Sequence, residues 1–140
     1  MTDVFPKQGT GYFQWNAGAW FGGLLGGTAY LGVGGVVFLL QDSFLGMAWL
    51  LCFAIASSSG VFLWRFRHVF APYPAMQALI FVCGVCGATA MSAAYFLAPE
   101  SSDVVQLTPA GSFLFLMVFP ILMVWFQLLE IGSRQRANKE

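Results

Sequence analysis

Charged side chains fall in a few short clusters along this chain, and four long apolar intervals run between them: Lys7 to Asp42, Asp42 to Arg65, His68 to Glu100 and Asp103 to Glu130. No interval contains an internal Asp, Glu, Lys or Arg. Each is long enough for a helix of about 20 residues, which crosses a hydrocarbon core about 30 Å thick. The pattern predicts an all-α integral membrane protein, a four-transmembrane-helix bundle forming one domain over 1–140, with helices near 17–40, 44–64, 75–98 and 111–130. Gln41, Asp42 and Ser43 make a tight connection, and Arg65, Phe66, Arg67 and His68 a basic one. Pro74 suits the first turn of the third helix, where its missing N–H costs little. Pro99 to Ala110 is the longest loop, carrying Glu100 and Asp103, and Ser133 to Glu140 reads as a charged tail.

Composition strengthens this reading. Of 140 residues, 59% are hydrophobic and 9% charged, against about 25% charged in soluble domains. Twelve clustered charges cannot clothe a water-facing surface of that size. The formal net charge is zero, which argues against nucleic acid as a partner. Three cysteines inside apolar segments do not make a secreted disulfide framework. The N-terminus is a poor signal peptide, because Asp3 offsets Lys7 and no small-residue cleavage site follows the first apolar stretch. It reads as an uncleaved first span.

The basic residues set an expected orientation. Lys7 precedes the first span, Arg65 and Arg67 separate the second from the third, and Arg134, Arg136 and Lys139 follow the fourth. The other two loops carry only Asp42, Glu100 and Asp103. All six basic residues fall on one side of an even-numbered bundle, so both termini are expected in the cytoplasm (N-in/C-in). Trp15, Trp20, Trp64 and Trp125 gather toward that interface, and Trp49 marks the other. Small size and the lack of sorting signals point to the bacterial cytoplasmic (inner) membrane.

Helices in lipid gain little from burying apolar surface, so small residues at four-residue spacing mark where backbones approach closely. The first span carries two such stripes, Gly18–Gly22–Gly26 and Ala19–Gly23–Gly27. That face is wider than one neighbour needs, and a second copy of the chain could use the remainder. The second span has Ala48–Cys52–Ala56–Gly60, and the third Gly84–Ala88–Ser92 beside Ala90–Ala94. The fourth, from Phe113 to Phe119, is bulky all round and interrupted by Pro120, as expected of a lipid-facing helix with a kink.

Candidate chemistry is sparse. Cys83-Gly-Val-Cys86 has the C-x-x-C spacing of a thiol–disulfide pair, but it falls about ten residues into a helix, near mid-bilayer by the 1.5 Å rise, and only Cys52 could exchange with it. Small packing residues are the simpler reading of all three. Thr28, Ser57, Ser58, Ser59, Thr89 and Ser92 could line a pore or hydrogen-bond between helices. Arg65, Arg67 and His68 could contact anionic lipid or a cytoplasmic partner, or serve only as topology anchors. Arg134, one turn past Glu130, can pair with it. No catalytic, metal or cofactor constellation is visible, so an enzyme is the less expected class. The leading expectation is a self-assembling membrane protein, a homo-oligomer that could form a channel or transport unit. An accessory subunit beside other membrane proteins and a thiol-dependent membrane oxidoreductase are the alternatives.

A membrane-impermeant thiol reagent checks the orientation on a chain with Cys52, Cys83 and Cys86 replaced by serine. A single cysteine at position 7 or 139 is expected to label only after the cell is opened, and one at position 42 or 103 in intact cells.

Overall fold

The computed structural model describes residues 12–97 and 108–137. Lys7, Glu100, Asp103 and Lys139, with most of the long loop and the end of the tail, lie outside the described residues. Four helices make up the fold: α1, Ala17–Leu39; α2, Ser43–Arg65; α3, Pro72–Leu97; and α4, Pro109–Ala137. All four are long and apolar enough to cross a membrane by length and composition. The shortest have 23 residues, about 35 Å at 1.5 Å per residue.

Local chemistry explains where each helix starts. Asn16 caps α1 by accepting from the Ala19 N–H at 3.0 Å. Asp42 caps α2, its carboxylate accepting from Phe44 and Leu45 N–H at 2.9 and 3.1 Å. The residue that breaks the run of apolar positions thus also starts the next helix. α3 begins at Pro72 rather than near 75, with Pro74 still inside its first turn. α4 begins after Thr108, whose hydroxyl accepts from Gly111 N–H at 3.1 Å. Its C-terminal end extends to Ala137, past the 130 expected from apolarity. Apolarity stops where hydrocarbon would, but the helix continues because Arg134 pairs one turn back with Glu130 at 2.9 Å and cations suit a helix C-terminus.

The helices pack in sequence, α1 on α2 most extensively, α2 on α3, and α3 on α4, with α1 also touching α3. The α1–α2 seam is built on glycine. Cβ atoms placed at Gly34, Gly35 and Gly60 would collide with Trp49, Leu50 and Leu24, and one at Gly46 would lie 2.6 Å from Leu39 Cα. The small-residue stripe of α2 lies in this interior, with Cys52, Ala56 and Gly60 buried. Trp49 is also buried there, against Phe38 at 5.0 Å between ring centres. Gly34 leaves space for its ring, so it is a core residue. α4 is the least buried helix, as its bulky, unstriped sequence implies.

Two substitutions test this division. Gly46→Ala is expected to destabilise the bundle by about 1–3 kcal/mol through overpacking. Gly22→Ala is expected to be neutral or to stabilise by up to about 1 kcal/mol through helix propensity. Unfolding in mixed micelles reads both.

Candidate functional site

α4 stands on α3 at two points. Phe119 packs over Gly84, where a Cβ would lie 3.2 Å from the Phe119 Cβ. Nearer the basic end, Gln77 Nε2 donates to the Met123 carbonyl and to the Tyr73 hydroxyl, both at 3.0 Å. No extended seam joins α1 to α4 among the described residues. They meet instead through single side chains. Tyr30 of α1 stands edge-on to Phe115 at 4.8 Å. Its hydroxyl donates to the Cys83 carbonyl at 3.3 Å, in space that a side chain on Gly87 would fill.

The second meeting place is the lead into α1. The Tyr12 N–H donates to Glu130 Oε2 at 2.9 Å, and the Phe13 N–H reaches the same oxygen at 3.5 Å. Phe13 then packs between Phe126 and Tyr73, with ring centres 5.0 and 5.8 Å apart. Glu130 is only 5% exposed although it lies near the helix end. Its other oxygen takes the Arg134 Nε–H at 2.9 Å. Arg134 is largely solvent-facing, so that ion pair contributes little by itself. The backbone donors at Tyr12 and Phe13 are what tie the lead to α4.

Between these two ties lies a cavity of about 300 Å³. Gly23, Gly26, Gly27 and Tyr30 form its α1 wall, Met76, Leu79, Ile80 and Cys83 its floor on α3, and Phe115, Val118, Phe119, Leu122 and Phe126 its α4 wall. It exists because α1 offers no side chain there. A Cβ at Gly22, Gly23 or Gly26 would meet nothing within 4 Å, and one at Gly27 would touch only Cys83. Its lining is almost wholly apolar, and its one hydroxyl, on Tyr30, is already bonded to Cys83. A shallower indentation between α2 and α3 is lined by Ser58, Ser59, Phe62, Leu63, Ala78 and Val82.

The residues singled out from sequence are dispersed. Gly22, Gly23 and Gly26 are exposed, Gly18 faces only its own Asn16 cap, and Gly27 borders the cavity. Cys52, Cys83 and Cys86 are buried free thiols, with Cys83 against Gly27. Arg65, Arg67 and His68 are exposed at the end where Arg134 and Arg136 also lie. The Arg67 guanidinium lies 4.9 Å above the Trp64 ring. Trp64 belongs to an aromatic plug with Trp15 and Trp20, closed by indole N–H bonds from Trp15 to Phe70 O and from Trp20 to Gly60 O. Hydroxyls bond one turn back on their own helices: Thr28 to Leu24 O, Ser58 and Ser59 to Ile55 O, Thr89 to Val85 O. Among the described residues no group of three or more His, Cys, Asp or Glu side chains could hold a metal ion. Sequence reasoning missed the Tyr12–Phe13 tie and the Tyr30–Cys83 bond, although Glu130 ending an apolar span was a visible anomaly. Comparison with protein-family models, curated proteins and solved structures returns no match.

Removing the Glu130 carboxylate tests the tie. Glu130→Ala is expected to speed amide exchange at Tyr12 and Phe13 by about ten- to a hundredfold, from loss of hydrogen bonds to a charged acceptor worth about 1.5–3 kcal/mol. Glu130→Gln, which keeps an acceptor oxygen, is expected to have the smaller effect.

Proposed function

We propose that this is a four-span membrane protein, N-in/C-in, that works by assembling with a second copy of itself through the N-terminal half of α1. One observation carries the reading: glycines at Gly22, Gly23 and Gly26 are not required by the chain's own packing, since a Cβ there would meet nothing. A glycine inside a helix costs about 1 kcal/mol relative to alanine. Such a run is explained when another body approaches the backbone closely. Gly18 and Gly22, at the spacing that lets two membrane helices touch backbone to backbone, continue into the exposed Leu25 and Ala29, a stripe that faces away from the cavity floor. A symmetric pair buries this stripe against its own copy.

The same surface offered to a different protein would make the chain an accessory subunit. Conduction has less beneath it, since Thr28, Ser58, Ser59 and Thr89 direct their hydroxyls at their own helices. A thiol-exchange role has less again, because Cys83 and Cys86 are both buried within the bundle.

Gly22→Cys, in a chain whose native cysteines are serine, is expected to form a disulfide-linked homodimer in membranes under mild oxidation. Gly18→Leu with Gly22→Leu is expected to abolish association in native mass spectrometry while leaving helix content unchanged. A cross-link to another protein, with no homodimer, would transfer the role to the accessory reading.

A further inference from the structure

We infer that the turn between α2 and α3 is a headgroup site for anionic phospholipid, with Arg65 and Arg67 taking the phosphate and Phe66, Val69 and Phe70 seated at the membrane interface. The site rests on the membrane reading proposed above and not on self-association. Charge balance points outside the chain. Two carboxylates fall among the described residues, Asp42 and Glu130. Glu130 is buried and already holds Arg134 and the Tyr12 N–H. Asp42 caps the opposite end of α2, a helix of 23 residues, and so stands about 35 Å from Arg65. Arg65 and Arg67 therefore meet no carboxylate among the described residues. Helix dipoles do not compensate them either, since the negative end of α2 and the positive end of α3 share this turn and cancel.

The turn is also held in one shape. Val69 and Phe70 N–H donate to the Phe66 carbonyl at 2.8 and 3.3 Å, and the Trp15 indole N–H ties the Phe70 carbonyl to the start of α1. Arg67 Nη1 donates to the Trp64 carbonyl at 3.2 Å while its guanidinium lies over the Trp64 ring. Those contacts orient Arg67 without neutralising it. A cation fixed in advance loses less freedom when an anion arrives, and a guanidinium fork suits phosphate oxygens.

The apolar residues of the same turn decide between a lipid head and a soluble anion. Every residue from 65 to 71 is exposed, and Phe66, Val69 and Phe70 are 39%, 63% and 37% exposed. Phe62 stacks on Phe66 with ring centres 4.6 Å apart, and Phe66 lies 6.2 Å from the His68 ring. Apolar surface thus runs unbroken from the outer face of α2 into the basic turn. A soluble phosphate would satisfy the arginines and leave these side chains in water. The headgroup layer satisfies both, because aromatic rings suit that depth and arginines bind anionic heads there. A zwitterionic head brings its own cation beside two guanidinium groups, so a net negative head is preferred.

The test uses the full chain in mixed micelles, which have no sidedness, so a role as topology anchor alone gives no signal. Phosphatidylglycerol and phosphatidylcholine with the same acyl chains are offered together, and retained lipid is counted by native mass spectrometry. Phosphatidylglycerol is expected to be favoured about twentyfold, from about fivefold per arginine. Arg65→Gln with Arg67→Gln should bring the two lipids to near parity, and Arg65→Lys with Arg67→Lys should keep part of the preference. Arg136→Gln, at the same end but on α4, should keep nearly all of it. Amide exchange across 66–71 is expected to slow several-fold more with phosphatidylglycerol than with phosphatidylcholine, with no difference at 41–43. Gly18→Leu with Gly22→Leu should show the same preference, so failure here and failure of self-assembly read separately. Parity in the unmodified chain, a preference that survives loss of both arginines, or equal slowing of exchange by soluble glycerol phosphate would overturn the inference. A chain that stays dissolved and folded without detergent would remove the membrane reading and this site with it.

Discussion

Two helices in hydrocarbon gain almost nothing by hiding apolar side chains from each other, since lipid tails solvate those side chains equally well. What remains is the density of contact, and density requires that something be small. In this bundle the requirement is met along the α1–α2 seam, where Gly34, Gly35, Gly46 and Gly60 receive Trp49, Leu50, Leu39 and Leu24. Everything else is arranged around that pair. α3 closes over it with Ala75, Cys83, Ala90 and Ala94 buried, and the three cysteines belong to this close-packed interior.

α4 follows a different logic. It has no small-residue stripe and packs mainly against α3, where the absent side chain of Gly84 admits Phe119. Its remaining attachments are directional: an amide from Gln77, the ring of Tyr30, and the backbone donors at Tyr12 and Phe13 on Glu130. Directional ties hold a helix at a distance without filling the space between. A gap therefore persists between α1 and α4 just where α1 is barest.

The glycines of α1 accordingly divide into two groups with different work. Gly34 and Gly35, toward one end, are occupied by α2 side chains. Gly22, Gly23 and Gly26, toward the other, are not occupied by any part of the chain. A sequence pattern of repeated small residues looks alike in both halves. The distinction is one of partner, and it is also what makes the bare half available to a second body.

Much of this architecture is legible in one dimension. The number of helices and their approximate limits follow from charge-free apolar length alone, each run being as long as a bilayer crossing requires. The exposed character of α4 follows from its bulk, and the start of α2 from Asp42. Helix ends beyond the apolar runs were less legible: α4 runs on past Glu130 because pairing with Arg134 and the helix dipole act where apolarity no longer does. The packing of Trp49 was not legible for a related reason, since its burial depends on Gly34 of another helix. The cavity was not legible at all. Its walls come from α1, α3 and α4, and its ends from Tyr30 meeting Phe115 and Phe13 meeting Phe126, contacts between residues roughly a hundred positions apart. Hydrophobicity and periodicity act along the chain and so determined the helices; which faces touch, and which stay empty, is a matter of steric fit between separate helices, and only the tertiary structure decided it.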